Sequence, residues 1–441
     1  MNTSAPNLHQ IERIESETIR RVAWRLMPLL MLGYFCAYID RGNVGMAATT
    51  MTKDLGFSNT VFGFGAGLFF LGYFLAEIPS NLLLNKVGAR RWISRILITW
   101  GIVSGLTAFV WNDWSFYGIR FLLGVAEAGF YPGVVLYLTW WFPSHYRTRM
   151  MALFQSAQTI SLIIGPPIGG LLLQLHGALG LAGWQWLFVT EALPSIIMCV
   201  VTWRLLTDRP KDASWLRPNQ KAWLIERLEA ERAQRESIRK FSLAQAFYNP
   251  KVVLISIAYI GTNAVSYVLV FFLPLIVKGL GVSANYIGVT SALPYVFAIV
   301  ALNYWGWHSD KTGERTWHAA GACLLCSAGL AGCIVIGVGH PVMIMIALIF
   351  AVMGQQSISS PFWAMPSALL TGTAAAGGIA MINAVGGLGG WFGPSLFGFV
   401  KDVSGSDNTA LLCLALAPVM SAILLVVVGQ DRRMERIPTR K

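Results

Sequence analysis

Long apolar runs nearly free of charge alternate with short polar stretches along the 441 residues of this chain. The runs fall near 22–49, 58–84, 92–111, 115–141, 149–175 and 184–206, and again near 250–277, 284–307, 317–338, 341–370, 374–400 and 409–429. Each is long enough to cross a hydrocarbon core of about 30 Å as a helix rising about 1.5 Å per residue. The pattern predicts an all-α integral membrane protein of twelve transmembrane helices, six in each half, around a central cavity. It divides the chain into a cytoplasmic N-terminal segment (1–21), a first six-helix half (22–206), a linker (207–249), a second half (250–429) and a cytoplasmic tail (430–441). The linker contains Trp223-Leu-Ile-Glu-Arg-Leu-Glu-Ala-Glu-Arg, a charged helix expected to lie on the inner surface. At about forty residues it is too short for a soluble catalytic domain.

Composition agrees with the pattern. The chain is 55% hydrophobic and 12% charged, against about 25% charged for a soluble domain. The net charge of +12 has a topological origin. Of the 33 Lys and Arg, three (Lys53, Lys278, Lys401) fall on outer loops and two (Arg41, Arg120) inside spans, the remainder on inner segments, if both termini face the cytoplasm. Cations spread over many loops satisfy the positive-inside rule and do not form a nucleic-acid groove. The first twenty-one residues carry six charges between Glu12 and Arg21 and lack the apolar core of a cleavable signal. All six cysteines lie inside apolar runs and read as small hydrophobes, the Cys323-x-x-Cys326 pair included, since no His or second pair accompanies it to make a metal site.

The two halves echo each other between their second and third spans. Gly306-Trp-His-Ser-Asp310-Lys311-Thr-Gly313-Glu-Arg315 in the second half matches Asn81-Leu-Leu-Leu-Asn85-Lys86-Val-Gly88-Ala-Arg90-Arg91 in the first. A tight turn of this kind lets a carboxylate cap a neighbouring helix start while basic residues stay in the cytoplasm, and parallel six-span repeats are a transporter plan. The loop pair resembles the signature of the major facilitator superfamily, and the resemblance covers nearly the whole chain. Ala37-Tyr38-Ile39-Asp40-Arg41-Gly42-Asn43-Val44-Gly45, Arg120-Phe-Leu-Leu-Gly-Val-Ala-Glu127-Ala-Gly-Phe-Tyr-Pro132-Gly and Trp141-Phe-Pro-Ser-His-Tyr-Arg147-Thr-Arg149 resemble its anion:cation symporter branch. Asn85 stands where the first loop of the family usually carries Asp, which removes a charged inner-gate contact on that side. The resemblance implies a bacterial inner-membrane protein, gating roles for Asn85, Lys86, Gly88, Arg90, Gly306, Asp310, Lys311, Gly313 and Arg315, and no cofactor.

Ionisable residues inside spans cost roughly 2.5 to 3.5 kcal/mol or more at the centre of a lipid-facing helix, so they should face a cavity and be paired. Asp40, Arg41, Glu77, Arg120, Glu127 and Glu191 are such residues. Arg120 and Glu127, seven apart, share one helical face about two turns apart. Arg41 and Arg120 are candidates to bind a substrate carboxylate, because a guanidinium stays charged and offers a planar fork of donors; pairing with Asp40 or Glu127 is the alternative for each. Asp40 and Glu127 are the candidate proton carriers, since desolvation and a nearby Arg act oppositely on a carboxyl and their balance changes with conformation. The family resemblance points the same way. Glu77 and Glu191 read as structural acids hydrogen-bonded at bends near Pro79 and Pro194. By the resemblance Tyr38, Gln158 and Asn383 match positions that line the substrate cavity. Trp363 sits between two prolines of the tenth span, where it covers substrate or fills a bend. The Gly- and Ala-rich stretch from Gly372 to Gly390 favours close helix approach and gate bending.

The function expected is import of a small organic carboxylate by proton symport with alternating access. Gly183-Trp-Gln-Trp-Leu-Phe and the wider Trp pattern resemble bacterial permeases for tartrate, for aromatic acids such as hydroxyphenylacetate or phthalate, and for sugar acids. The partners are then the organic anion, protons and the bilayer, with one chain sufficing for one pathway. Uniport or antiport of an anion without protons stays open, as does a membrane receptor or channel. No metal-binding His pair, nucleophile elbow or phosphate loop supports an enzyme.

Overall fold

A computed structural model of the chain describes residues 8–236, 249–337, 339–369 and 372–429. The expected tail, 430–441, and part of the linker lie outside the described residues. In the first half, α1 (Leu8–Leu55), α2 (Asn59–Val87), α3 (Ala89–Leu106), α4 (Asp113–Glu127) with α5 (Phe130–Trp141), α6 (Ser144–Leu173) and α7 (Gly183–Leu205) occupy the six predicted places. The linker helix α8 (Pro218–Glu236) follows. The second half comprises α9 (Pro250–Gly279), α10 (Ile287–Thr312), α11 (Thr316–Ile336), α12 (Pro341–Ser357) with α13 (Ser359–Leu369), α14 (Gly372–Gly387) with α15 (Gly389–Ser404), and α16 (Asp407–Val428). Eleven helices among the described residues are long and apolar enough to cross a membrane, and α14 with α15 fills the remaining place.

The apolar runs form helices because hydrocarbon leaves backbone N–H and C=O groups no partner but each other. Their outward side chains, such as Ile78 and Leu82 on α2, Val300 on α10 and Val427 on α16, are exposed and form the lipid-facing belt. The fourth span is one run in sequence but two helices in space. At the break Gly129 takes φ 88°, a conformation glycine adopts without strain, and a Cβ there would strike the Ser80 side chain.

The halves meet at their outer ends. The α2 and α15 backbones touch there, since a Cβ on Gly63 would collide with the Pro394 carbonyl and one on Gly398 with the Asn59 carbonyl. Asp402, in the last turn of α15, accepts hydrogen bonds from the Asn59 amide nitrogen (3.2 Å) and side chain (2.7 Å) and from the Thr60 amide nitrogen and hydroxyl (2.6 Å each), so a carboxylate of one half caps the first turn of α2 in the other. Lys278 at the outer end of α9 donates to the Thr49 carbonyl of α1. On the inner side α8 is strapped to the first half. Glu231 accepts from the Ser144 amide and hydroxyl (3.1 Å) at the start of α6 and pairs with Arg147 at 3.3 Å, while Tyr146 donates to Glu15 at 3.0 Å.

Candidate functional site

Four charges are buried together in the first half. Asp40, Arg41, Arg120 and Glu127 are 2%, 7%, 1% and 0% exposed. An ion pair joins Arg41 Nη2 of α1 to Glu127 Oε1 of α4. Asp40 does not pair with its neighbour in sequence: it accepts hydrogen bonds from Ser104 Oγ, Trp100 Nε1 (3.0 Å) and Asn43 Nδ2 (3.2 Å). Successive residues on a helix point about 100° apart, so Asp40 meets α3 while Arg41 reaches α4. Arg120 donates to the Ala66 carbonyl at 3.3 Å and has Asp40 and Glu127 as counter-charges. The Phe69 ring is shared between the two guanidiniums, 5.2 Å from Arg41 and 5.3 Å from Arg120. With two cations and two carboxylates the cluster is neutral when fully ionised, which is the arrangement that burial of four charges requires.

Beside this cluster, between the halves, lies a cavity of about 200 Å³. Arg41, Tyr38, Gln158, Asn383 and Trp363, all expected at a substrate site, line it together. Arg120 does not: it lies behind the wall against Phe69 and Ala66. Glu77, expected as a hydrogen-bonded acid at a bend, also lines the cavity. Arg41 and Glu77 are thus the charged groups on the wall among the described residues. Glu191, for which the same structural role was expected, is 6% exposed and has no hydrogen-bond partner on either oxygen, so α7 passes Pro194 without its help.

Seven tyrosines line the cavity (Tyr34, Tyr38, Tyr73, Tyr131, Tyr259, Tyr267 and Tyr295), and apart from Tyr38 they were missed in the sequence. The signal was present. Tyrosine in a membrane protein favours the headgroup level, so a phenol in the middle of a span has to face a polar interior. The Tyr267 ring lies 4.1 Å from Phe70, and Tyr259 packs edge-on to Trp363 at 5.1 Å. Gln155 donates to the Tyr131 hydroxyl at 2.8 Å.

The repeated inner loops fold as tight turns, with different caps from those expected. Gly88 has φ 96° and Gly313 φ 65°. In the first loop the helix start is capped by Asp208, which accepts from the Arg90 amide at 2.8 Å; Asn85 does not supply that carboxylate. In the second, Asp310 pairs with Arg315 at 2.5 Å and Glu314 caps α11 through the amides of Trp317 (2.6 Å) and His318 (3.0 Å). The six cysteines are free thiols, with Cys323 and Cys326 packed in the core of the second half.

Two helical halves sealed against each other on one side, with a polar cavity at the seam and a neutralised charge cluster beside it, define a membrane carrier that works by alternating access. Comparison with known proteins agrees. Residues 30–435 match the family model described as the Major Facilitator Superfamily. A protein of Agrobacterium vitis called a putative tartrate transporter is 49% identical over 95% of this chain and 92% of its own length. A quinolone resistance transporter of Acinetobacter baumannii is 39% identical over 96% of this chain and 98% of its own. Among solved structures, the xylose transporter XylE from E. coli in a partially occluded inward-open conformation superposes with a TM-score of 0.73 at 13% identity, covering 92% of this chain and 98% of that one. The chain belongs to the Major Facilitator Superfamily, as a multi-pass secondary transporter of the bacterial inner membrane and not an enzyme.

Proposed function

We propose that the protein imports a small organic carboxylate together with protons, one chain forming the complete pathway. The observation that carries this reading is Arg41 on the wall of a cavity rich in phenols and amides, ion-paired to Glu127 buried behind that wall. Arg41 offers a carboxylate its planar fork, while Tyr38, Gln158 and Asn383 supply hydrogen bonds to hydroxyl or carboxylate oxygens and Trp363 gives a flat apolar face. The A. vitis relatives named for tartrate support the substrate class.

Charge balance supplies the coupling. Substrate that arrives as an anion beside Arg41 competes with Glu127 for the same guanidinium. A proton on Glu127 releases Arg41 and cancels the charge the substrate brings, so the cluster stays neutral and the halves can close over it. A second carboxylate on the substrate calls for a second proton, and Asp40, with Arg120 beside it, is the group to take it. Arg120 then acts as the fixed counter-charge behind the wall and Arg41 as the substrate ligand. After closure on the outer side the inner side opens, and lower substrate and proton concentrations release both.

The test is counterflow in proteoliposomes preloaded with unlabelled tartrate, galactonate, hydroxyphenylacetate or phthalate, using wild type and Arg41→Lys. Saturable exchange of one acid, weakened by the lysine, supports the reading. Exchange of a neutral or cationic solute in preference to every acid would remove the substrate class.

A further inference from the structure

Glu191 lies in a second, smaller space outward of the main cavity. This space, of about 20 Å³, is room for a single water. It sits on the seam between the halves. Asn43, Ser161 and Glu191 of the first half line it together with Ser291 and Tyr295 of the second. Glu191 is eight residues into α7 from its outer end at Gly183, about 12 Å at 1.5 Å per residue. Asn43 is one turn outward of Asp40 on α1 and donates to it at 3.2 Å. The order from outside to inside is therefore Glu191, Asn43, Asp40.

Asn43 is the side chain that approaches the Glu191 carboxyl as a donor, but no hydrogen bond of good geometry forms: both carboxylate oxygens of Glu191, Asn43 Oδ1, the Ser291 hydroxyl and, one turn along α7, the Ser195 hydroxyl are buried without one. No Lys, Arg or His is among the described residues lining the space, and Asp40 on α1 is the charged group that faces Glu191. The remaining facing groups are Asn43 and Tyr38 of α1, Ser161 of α6, Ser291 and Tyr295 of α10, and Ser195 on α7 itself. A carboxylate charge held this way costs several kcal/mol, whereas a carboxylic acid has a hydrogen to give, and Asn43 Oδ1 is an idle acceptor in the same space. Because residues of both halves form the walls, separation of the halves on the outer side exposes Glu191 to water, while Asp40 stays behind Trp100 and Ser104.

We propose that Glu191 is the outer proton acceptor of the transport cycle: it takes a proton from outside water while the outer side is open and passes it, through the Asn43 site and one water, to Asp40. The carboxylate left on Glu191 is reprotonated from outside in the next cycle, so one proton moves inward and nothing else changes. This rests on the proton-symport reading above.

The experiment compares Glu191→Gln, Glu191→Asp and Glu127→Gln with wild type in proteoliposomes. It measures accumulation of the transported acid under an inward proton gradient, and exchange at equal pH. Glu191→Gln is expected to keep exchange, to lose accumulation by at least about tenfold, a conservative figure beside the roughly 10²- to 10⁴-fold that a positioned proton-transfer group contributes to a reaction rate, and to recover it as the outside is acidified. Glu191→Asp restores accumulation in part, and Glu127→Gln recovers at no external pH. Infrared difference spectra should show a protonated-carboxyl band that Glu191→Gln lacks. Accumulation by Glu191→Gln equal to wild type would overturn the proposal, as would loss of exchange together with accumulation. Uptake driven by a sodium gradient and lost in Glu191→Gln would overturn it in favour of a cation site. A wild type indifferent to the proton gradient would instead sink the symport reading itself, and is recognised before any variant is made.

Discussion

Replacing Asp402 by Asn should loosen the outer seal. This carboxylate accepts four hydrogen bonds from the first two residues of α2, at 2.6 to 3.2 Å, and so joins the halves where they must part for the carrier to open outward. A hydrogen bond to a charged group contributes about 1.5 to 3 kcal/mol, and a carboxylate at a helix N-terminus about 0.3 to 1 kcal/mol at an exposed site. Asp402 is exposed and water replaces part of what is lost, so the net effect of Asp402→Asn on the closed state is about 1 to 2 kcal/mol. That shifts the ratio of outward-closed to outward-open carrier by roughly 5- to 30-fold. Spin labels at Lys53 and Asn408, exposed on the outer surface of opposite halves, would report the shift as growth of a longer-distance population by pulsed electron resonance. The latch should also be indifferent to pH over the working range. Partial desolvation pushes the Asp402 carboxyl up, but hydrogen bonds from Thr60, Asn59 and Ser58 outweigh it and hold it at about 2. A group depressed in this way contributes fully above its ordinary value, and the contribution is lost only as pH falls through the depressed one. The wild-type distance distribution should therefore show no step from Asp402 between about pH 5 and 8. An unchanged distribution in Asp402→Asn would refute the claim that this cap holds the outer side shut.

Other consequences are as direct. Arg41→Lys keeps the charge but loses the planar fork, and should raise the KM for the acid by about tenfold, equivalent to ~1.4 kcal/mol, with purified protein still folded by circular dichroism. Gly63→Val places a side chain against the Pro394 carbonyl, so the halves cannot meet outside. Transport should fall to background while reagents added from outside gain access to a cysteine placed at Val270, on the cavity wall.

The fold was legible because hydrocarbon as solvent leaves few choices. Long uncharged runs have to be helices, and the bias of Lys and Arg orients them. The charges of the site were legible for the same reason, since Asp40, Arg41, Arg120 and Glu127 would not be tolerated in spans without a cavity or partners. Which pairing forms was not, because it depends on helix rotation: Asp40 and Glu127 were both open as partners for Arg41, and the neighbours Asp40 and Arg41 point to different helices. The same dependence placed Arg120 behind Phe69 and brought Glu77 to the wall. Caps supplied across long sequence separations, Asp208 on α3, Glu231 on α6 and Asp402 on α2, leave no local signature, and the break at Ala128–Gly129 was masked by continuous hydropathy. The tyrosines were the missed opportunity, being readable as phenols too deep for the headgroup region.

The measurement that tests the central claim most directly is accumulation of the transported acid in proteoliposomes with an imposed inward proton gradient and with it collapsed, for wild type and Glu127→Gln. The account predicts gradient-dependent accumulation by the wild type, and a variant that exchanges the acid but cannot concentrate it. Equal accumulation with and without the gradient, or a variant that still concentrates the acid, would contradict it.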